Sequence, residues 1–199
     1  MIDNSDITAV ILAGGRGRRM QGEDKGLIKL SGRPLIEHII AGLAPQLPSI
    51  LINANRNRDR YGNYGYPVVG DNLNDFQGPL AGFAAAMEAL ETPYMLTLPC
   101  DAPQVLQTLV PRLCQALEAQ HAEIAVAHDG RRMQPVYALI PVTLLPSLQR
   151  FLAAGDRKID LWYARHRVAL ADFSDQADAF RNINTPDEHS SMETERNSR

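Results

Sequence analysis

A glycine- and arginine-rich segment follows the first apolar run of the chain and has the composition of a phosphate-binding loop. It spans residues 12–20 (LAGGRGRRM) and continues to the triplet Asp24-Lys25-Gly26. Its glycines let the backbone approach a ligand closely and turn its N–H groups inward, which creates a concavity that binds anions. Four cations lie within ten residues, and this density suits a triphosphate. The cations are Arg16, Arg18, Arg19 and Lys25.

This loop matches neither of the two common phosphate-binding motifs. Met20 stands where the Rossmann fingerprint requires its third glycine. Lys25 is followed by Gly26, whereas a P-loop lysine is followed by serine or threonine. The sequence therefore indicates a triphosphate loop of another type, and the alternative is a surface loop with solvated arginines.

Asp101 is the candidate metal ligand. It follows the apolar run 94–98 and Pro99, so its carboxylate is expected to project from the carboxyl end of a strand. Mg²⁺ is typically held by one or two carboxylates, waters and substrate phosphates, so one well-placed aspartate is sufficient. A residue that caps the next helix is the alternative, and the residues alone leave both interpretations open.

Asn53 and Asp71 are candidates for reading a nucleotide base. Each comes just after an apolar, strand-like run, where amide and carboxylate groups can bind the edge of a base. An aspartate can accept from guanine N1–H and from its exocyclic amine, a pair of donors that adenine does not offer. The alternative for both residues is local turn chemistry.

Apolar periodicity predicts an alternation of strands and helices that would position these groups. The predicted strands cover 7–12, 49–54, 94–98, 123–127 and 136–140, and the predicted helices cover 34–47, 79–90 and 108–119. Pro34 suits the first turn of the first of these helices, and the Asp-Gly pair at 129–130 suits a hairpin turn. Such an order predicts an α/β fold with three layers, a mainly parallel Rossmann-like sheet, and ligands beyond the carboxyl ends of its strands.

Composition restricts the class of protein further. The 199 residues carry a formal net charge of −3, which argues against a general nucleic-acid binder. Cys100 and Cys114 are the only cysteines, so there is no disulfide framework, and a reducing compartment fits best. No apolar run approaches the roughly 18 residues of a membrane span, and the start lacks an export signal. We therefore expect a cytoplasmic protein with one domain at 1–188 and a disordered polar tail at 189–199.

Taken in order, the motifs of this chain resemble those of a known family. The quoted loop is similar to the signature of nucleotidyltransferases with a glycosyltransferase-A-like fold, the fold of the nucleotide-diphospho-sugar transferases. More narrowly, the chain resembles the molybdenum cofactor guanylyltransferases (MobA family) from residue 8 to about residue 188. The other blocks that carry the resemblance are INANR (52–56), GD (70–71), GPLAG (78–82), PCDAP (99–103), DGRRMQP (129–135) and NINTP (182–186).

The resemblance implies an activity and a set of site residues. It implies transfer of GMP from GTP to the phosphate of molybdopterin or of molybdenum-bound molybdopterin, with release of pyrophosphate and with Mg²⁺ held by Asp101. The implied catalytic residues are Arg19, Lys25 and Asp101. The implied nucleotide-binding residues are Leu12, Ala13, Gly14, Gly15, Lys25, Asn53, Asp71, Gly78, Gly82 and Asp101. The implied acceptor-binding residues are Arg131, Gln134, Arg157, Lys158, Asn182 and Asn184.

Some expectations about this site combine the resemblance with local chemistry. Asn182 and Asn184 flank Ile183 on what we predict to be a short strand, so their side chains would share one face. Proteins that supply or collect the cofactor are expected partners. Two alternatives stay open: an enzyme of the same fold that uses CTP or a sugar-phosphate acceptor, and a guanine-nucleotide-binding protein without catalysis.

Overall fold

The computed structural model describes residues 1–14, 23–71 and 78–197. Gly15 and Arg19 therefore lie outside the described residues. The strands are β1 Ile7–Leu12, β2 Lys29–Leu30, β3 Arg33–Pro34, β4 Ser49–Asn53, β5 Val68–Val69, β6 Tyr94–Pro99, β7 Ile124–His128, β8 Met133–Pro141 and β9 Val168–Asp172. The helices are α1 Leu35–Leu43, α2 Arg58–Gly62, α3 Pro79–Ala89, α4 Leu109–Ala119, α5 Leu145–Ala153, α6 Ile159–Tyr163 and α7 Pro186–Asn197.

Seven strands form one sheet in the order β5-β4-β1-β6-β8-β7-β9. All neighbouring pairs are parallel except those of β8, which runs antiparallel to β6 and to β7. The mainly parallel α/β sheet predicted from the sequence is confirmed. Because β1, β4 and β6 are parallel, their carboxyl ends meet at one edge of the sheet, where such folds bind ligands.

Helices cover both faces of this sheet. On β1, Ile11 points into the core shared with α1 and α4, whereas Val10 points into the core shared with α3, α5 and α6. Successive side chains of a strand alternate between faces, so two apolar layers enclose the strand. Trp162, on α6, is fully buried in the second layer. The three-layer arrangement is thus built from two separate apolar cores.

The first helix begins one residue later and ends earlier than predicted. Pro34 does not belong to its first turn, since it pairs with Lys29 in the small antiparallel hairpin of β2 and β3. Its backbone is extended, with ψ of 144°, and it precedes the helix as the N-cap residue. Helix α1 ends at Leu43, and Pro45 lacks the N–H that would continue it.

The segment 182–184 is not a strand, so that prediction is wrong. Ile183 N–H donates to the carbonyl oxygen of Asp101 at 2.7 Å, which ties the segment to the end of β6. No ladder can form beside β6 because β1 and β8 already occupy both of its edges. The segment therefore lies across the carboxyl end of the sheet.

Residues 186–197 form helix α7, which differs from the expected disordered tail. A reciprocal cap begins the helix: Glu188 N–H donates to Thr185 Oγ1 at 3.2 Å, and Thr185 N–H donates to Glu188 Oε2 at 3.0 Å. Met192 packs against Leu30, Leu35 and Ile183, which anchors the helix on the β2–β3 hairpin. The tail lacks apolar periodicity, so capping and this contact, rather than an amphipathic pattern, explain the helix. Among the described residues, no helix has the length and apolar character needed to cross a membrane.

Candidate functional site

The start of the glycine-rich loop is fixed between two neighbouring strands. Ala13 N–H donates to the carbonyl oxygen of Asn53 at 2.7 Å, and Cys100 N–H donates to that of Leu12 at 3.1 Å. These bonds extend the parallel ladders of β1 past its last residue. The backbone at 12–14 consequently runs between Asn53 on one side and Asp101 on the other.

A lysine and an aspartate from distant parts of the chain meet at this edge. Lys25 Nζ lies 2.8 Å from Asp101 Oδ2 and also donates to Asn184 Oδ1. Asp101 is only 8% exposed, and its Oδ1 is buried without a hydrogen-bond partner among the described residues. Asp101 does not cap the next helix, because α4 begins at Leu109 with Thr108 as its N-cap residue. The carboxylate thus keeps one buried oxygen available for a ligand.

A buried tyrosine that the sequence analysis did not single out contacts the residues on either side of Lys25. Asp24 accepts from Tyr61 Oη and from Asn57 Nδ2, the latter at 2.9 Å. Burial raises the pKa of Tyr61 far above its usual value, so the phenol stays a hydrogen-bond donor. A Cβ on Gly26 would lie 2.5 Å from Tyr61 Oη, so only glycine fits there. These contacts anchor the residues on both sides of Lys25.

A second cluster of polar side chains joins the ends of β4 and β5. Asn53 Nδ2 donates to Asp71 Oδ1 at 3.0 Å, and Asn55 Nδ2 donates to Asp71 Oδ2 at 2.7 Å. The backbone N–H of Asp71 donates to Asn55 Oδ1 at 2.7 Å. The structure therefore brings the two predicted base-reading residues together. Asn55 is an additional member, and its only sequence signal is its place in the INANR block.

Two glycines allow the backbone to approach this amide cluster. A Cβ on Gly82, in α3, would lie 2.5 Å from Asn53 Oδ1. A Cβ on Gly14 would lie 3.1 Å from Asn55 Nδ2. Gly78 precedes α3 with φ of +84°, a conformation that favours glycine. At each predicted site glycine within the described residues, a close contact or a positive φ thus explains why glycine is present.

A cleft of about 490 Å³ opens beside Asn184. Four of the predicted acceptor-binding residues line it, namely Arg131, Gln134, Asn182 and Asn184. The other lining residues are Asp129, Arg132, Ala177, Asp178, Phe180, Arg181, Glu188 and Met192. The cleft therefore carries three arginines within reach of the segment that holds Lys25.

The predicted hairpin turn forms one wall of this cleft. Asp129 Oδ1 accepts from the backbone N–H groups of Arg131 and Arg132 at 2.8 and 2.7 Å. Gln134 Nε2 donates to Asp129 Oδ2 at 2.7 Å, and Gly130 has φ of +87°. The aspartate thereby orders the turn, and the turn carries both arginines to the cleft. Sequence reasoning predicted the turn at Asp129 and Gly130 and named Arg131, but it did not predict that the Asp129 side chain orders the turn.

Arg157 and Lys158 lie elsewhere and do not line the cleft. Arg157 Nη1 donates to the carbonyl oxygens of Leu152 and Asp156 at 2.7 and 2.6 Å. Its own carbonyl oxygen is 3.8 Å from the position of a Cβ on Gly78, at the start of α3. Lys158 is the N-cap residue of α6. Their assignment to the acceptor stays a prediction.

The buried thiol of Cys100 is poorly suited to act as a nucleophile. Burial raises the pKa of its thiol, and the neighbouring charge of Asp101 raises it further. A thiol in this setting stays protonated at neutral pH. No group of three or more histidine, cysteine, aspartate or glutamate side chains within 1–14, 23–71 and 78–197 could share a metal ion. Any divalent ion here would therefore depend on Asp101, waters and a bound phosphate.

The fold and the site together define a nucleotide-binding α/β protein. An amide–carboxylate cluster and a lysine–aspartate pair flank one loop at the carboxyl edge of a mainly parallel sheet. The family model for the MobA-like NTP transferase domain matches residues 9–170. The chain belongs to this nucleotidyltransferase family.

Curated relatives agree with this membership, and a solved structure agrees with the fold. The molybdenum cofactor guanylyltransferase of Shewanella sp. strain ANA-3 is 51% identical over 191 residues, 96% of this chain and 97% of the relative. The protein of the same name from Shewanella halifaxensis is 50% identical over 184 residues, 92% of each chain. Molybdopterin-guanine dinucleotide biosynthesis protein A from Archaeoglobus fulgidus has a TM-score of 0.79 at 21% identity, with 96% of this chain and 100% of that chain covered. At that identity the last comparison shows the fold alone.

Proposed function

We propose that this protein transfers GMP from GTP to the phosphate of molybdopterin and releases pyrophosphate, which forms the guanine dinucleotide cofactor. The observation that carries the proposal is the Lys25–Asp101 pair, which stands between the Asn53–Asp71 cluster and the arginine-lined cleft. A donor nucleotide on one side and an anionic acceptor on the other would meet at this pair. Relatives named molybdenum cofactor guanylyltransferase at about half identity support the choice of substrates.

The residues present fit one Mg²⁺ ion. Asp101 Oδ1 is buried without a protein partner among the described residues, and a buried carboxylate oxygen is a ligand that Mg²⁺ prefers. When bound, the ion would neutralise charge on the triphosphate and on the acceptor phosphate. Asp101 would hold it, with waters and phosphate oxygens as the other ligands.

The chain's own groups would orient the donor and stabilise its charge. Asp71 would read guanine, and the backbone at 12–14 would contact the nucleotide beside it. Lys25 would offset charge that develops on the pyrophosphate, and we assign the same role to Arg19. A phosphate monoester is already anionic at neutral pH, so the acceptor needs no general base. Positioning and charge stabilisation would therefore supply the rate acceleration.

The cleft has the size of a small-molecule site and offers two arginines to the acceptor. Its volume of about 490 Å³ lies within the range of such sites. Arg131 and Arg132 would contact an anionic ligand, whereas Arg181 is paired with Glu195 at 3.0 Å and the lining also carries Asp129, Asp178 and Glu188. Asn184 lines the cleft and also accepts from Lys25. An acceptor in the cleft would consequently place its phosphate next to the Lys25–Asp101 pair.

A pyrophosphate-release assay tests the proposal. Molybdopterin is supplied with Mg²⁺ and, in separate reactions, with GTP, CTP, ATP or UTP. We expect release with GTP and at least tenfold less with each of the others. Preference for CTP, or release with a sugar phosphate and not with molybdopterin, would instead identify another enzyme of the same fold. GTP binding without release under any of these conditions would identify a non-catalytic binder.

Gly82→Ala is expected to raise the KM for GTP about tenfold, because the new methyl group would displace Asn53 Oδ1 from 2.5 Å away. Alanine favours a helix over glycine by about 1 kcal/mol. Overpacking a buried site costs about 1–3 kcal/mol, so the clash outweighs the gain in helix propensity. Steady-state kinetics with GTP as the varied substrate measures the effect.

Gly62→Ala is the matched control for Gly82→Ala. Gly62 ends α2, and a Cβ there would contact nothing within 4 Å. Its KM for GTP should equal that of the unmodified protein. An unchanged KM in Gly82→Ala would show that Asn53 does not depend on the close approach of α3.

A further inference from the structure

We infer that Asn55 is a specificity-determining residue that acts through Asp71. It fixes the plane of the Asp71 carboxylate and thereby sets the preference for a base with two adjacent donors. The inference rests on the proposed function, in which guanosine is the nucleoside of the donor. Asn55 itself is a positioning residue and is not placed in contact with the reacting phosphates.

Asn55 and Asp71 form a ring closed by two hydrogen bonds. The Asp71 backbone N–H donates to Asn55 Oδ1 at 2.7 Å, and Asn55 Nδ2 donates to Asp71 Oδ2 at 2.7 Å. In these two bonds the amide nitrogen of Asn55 donates and its amide oxygen accepts. Rotation of the amide by 180° would place a donor against a donor and an acceptor against an acceptor. Only one orientation of Asn55 therefore satisfies both bonds, and that orientation fixes Oδ2.

Asn53 fixes the other oxygen of the same carboxylate. Its Nδ2 donates to Asp71 Oδ1 at 3.0 Å, so each carboxylate oxygen accepts one amide N–H from the described residues. A carboxylate oxygen can accept two hydrogen bonds, so within the described part of the chain one acceptor position stays on each oxygen. Two parallel acceptors in a fixed plane match N1–H and the exocyclic amine of guanine. Bidentate pairs of this kind depend on the relative orientation of both partners.

The backbone around Asn55 leaves little room for another arrangement. Asn55 lies two residues after the end of β4, and Ala54 N–H between them donates to the carbonyl oxygen of Val69 at 2.8 Å. A Cβ on Gly14 would lie 3.1 Å from Asn55 Nδ2, and a Cβ on Gly70 would lie 3.5 Å from Asn55 Oδ1. Gly14 lets the loop close on one side of the amide, whereas the end of β5 lies at an ordinary contact distance on the other side. Asn55 is consequently packed between these two segments.

A double-mutant cycle with GTP and ITP tests the inference. ITP carries hypoxanthine, which keeps N1–H and lacks the exocyclic amine, so it reports the second hydrogen bond alone. Dissociation constants for both nucleotides are measured by calorimetry in the unmodified protein, Asn55→Ala, Asp71→Ala and the double variant. We expect the unmodified protein to bind GTP more tightly than ITP. In Asn55→Ala the ratio of the ITP to the GTP dissociation constant should fall about tenfold. The double variant should show no further loss relative to Asp71→Ala.

Pyrophosphate release by Asn55→Ala gives a second readout that general damage to the fold would not reproduce. The KM for GTP should rise about tenfold, whereas kcat at saturating GTP should stay within about twofold of normal because the phosphates are held elsewhere. Asn4→Ala is the control, since its amide donates to the carbonyl oxygen of Gln46 at 2.9 Å, before β1 and therefore away from the carboxyl edge. If Asn55→Ala fails to fold, Asn55→Ser is measured in the same way.

The outcomes separate this inference from the proposed function. An unchanged ratio of GTP to ITP affinity in the Asn55 variant would overturn the role of Asn55. The same holds if the double variant loses affinity by the product of the two single-variant losses. Equal binding of the two nucleotides by the unmodified protein would overturn it as well. Absence of pyrophosphate release from the unmodified protein would refute the proposed function, while the binding cycle would still decide whether Asn55 sets base preference.

Discussion

Asp101→Asn is expected to lower kcat about a thousandfold while GTP binding falls no more than about tenfold. Asparagine keeps the shape of the side chain and one oxygen that can accept from Lys25, so the local structure is retained. The change removes the negative charge, and a neutral amide is a poor ligand for Mg²⁺. Loss of the ion would leave the charge on the reacting phosphates uncompensated. Single-turnover kinetics and GTP calorimetry measure the two effects separately.

Asp59→Asn provides the matched control for this substitution. Asp59 lies on the exposed surface of α2, so the same change in charge should leave kcat within about twofold of normal. Full activity of Asp101→Asn with Mg²⁺ as the only divalent ion would contradict the metal assignment. A loss of GTP binding as large as the loss of turnover would show that Asp101 serves the ground-state nucleotide and not the reacting phosphates.

Local sequence patterns were sufficient to predict five of the seven strands of the sheet, whereas β5 and β9 were not predicted. An apolar run followed by a polar residue identifies the carboxyl end of a buried strand, and this pattern located both Asn53 and Asp101. Parallel strands then bring such residues to one edge without further information. The hairpin turn at Asp129 and Gly130 followed from the backbone preferences of those two residues. In each case the residues that form the pattern and the feature that the pattern predicts lie within a few positions of each other in the sequence.

Contacts between distant segments could not be predicted in this way. Asn184 and Lys25 are 159 positions apart, and nothing in either neighbourhood indicates that they meet. The sequence around Tyr61 indicates only a buried residue of a short helix. The contacts of its hydroxyl with Asp24 and Gly26 are visible only in the folded chain. The segment around Asn184 cannot pair with β6 as a strand, because both edges of β6 are already paired. Such positions are set by the whole fold, and only coordinates reveal them.

Lys25→Met is expected to have two opposite effects. We expect kcat to fall about a hundredfold, because the variant lacks the ammonium group that would stabilise charge on the leaving pyrophosphate. The Mg²⁺ concentration that gives half-maximal activity should fall severalfold. Lys25 Nζ lies 2.8 Å from Asp101 Oδ2, so its charge would oppose the binding of an ion to Oδ1 of the same carboxylate. Methionine keeps the length and the apolar stem of lysine, so packing around Gly26 is retained. Titration of activity with Mg²⁺ measures both quantities.

Thermal unfolding of Lys25→Met distinguishes this opposition from simple loss of a phosphate contact. The Asp101 side chain is 11% exposed, and removal of its cation should cost about 1–3 kcal/mol of stability without Mg²⁺. If the ammonium group opposes binding of the ion, added Mg²⁺ should raise the Tm of this variant more than that of the unmodified protein. Lys29→Met, an exposed lysine on β2, should show neither effect. A higher Mg²⁺ requirement in Lys25→Met would contradict this opposition and would mean that the lysine helps to retain the ion.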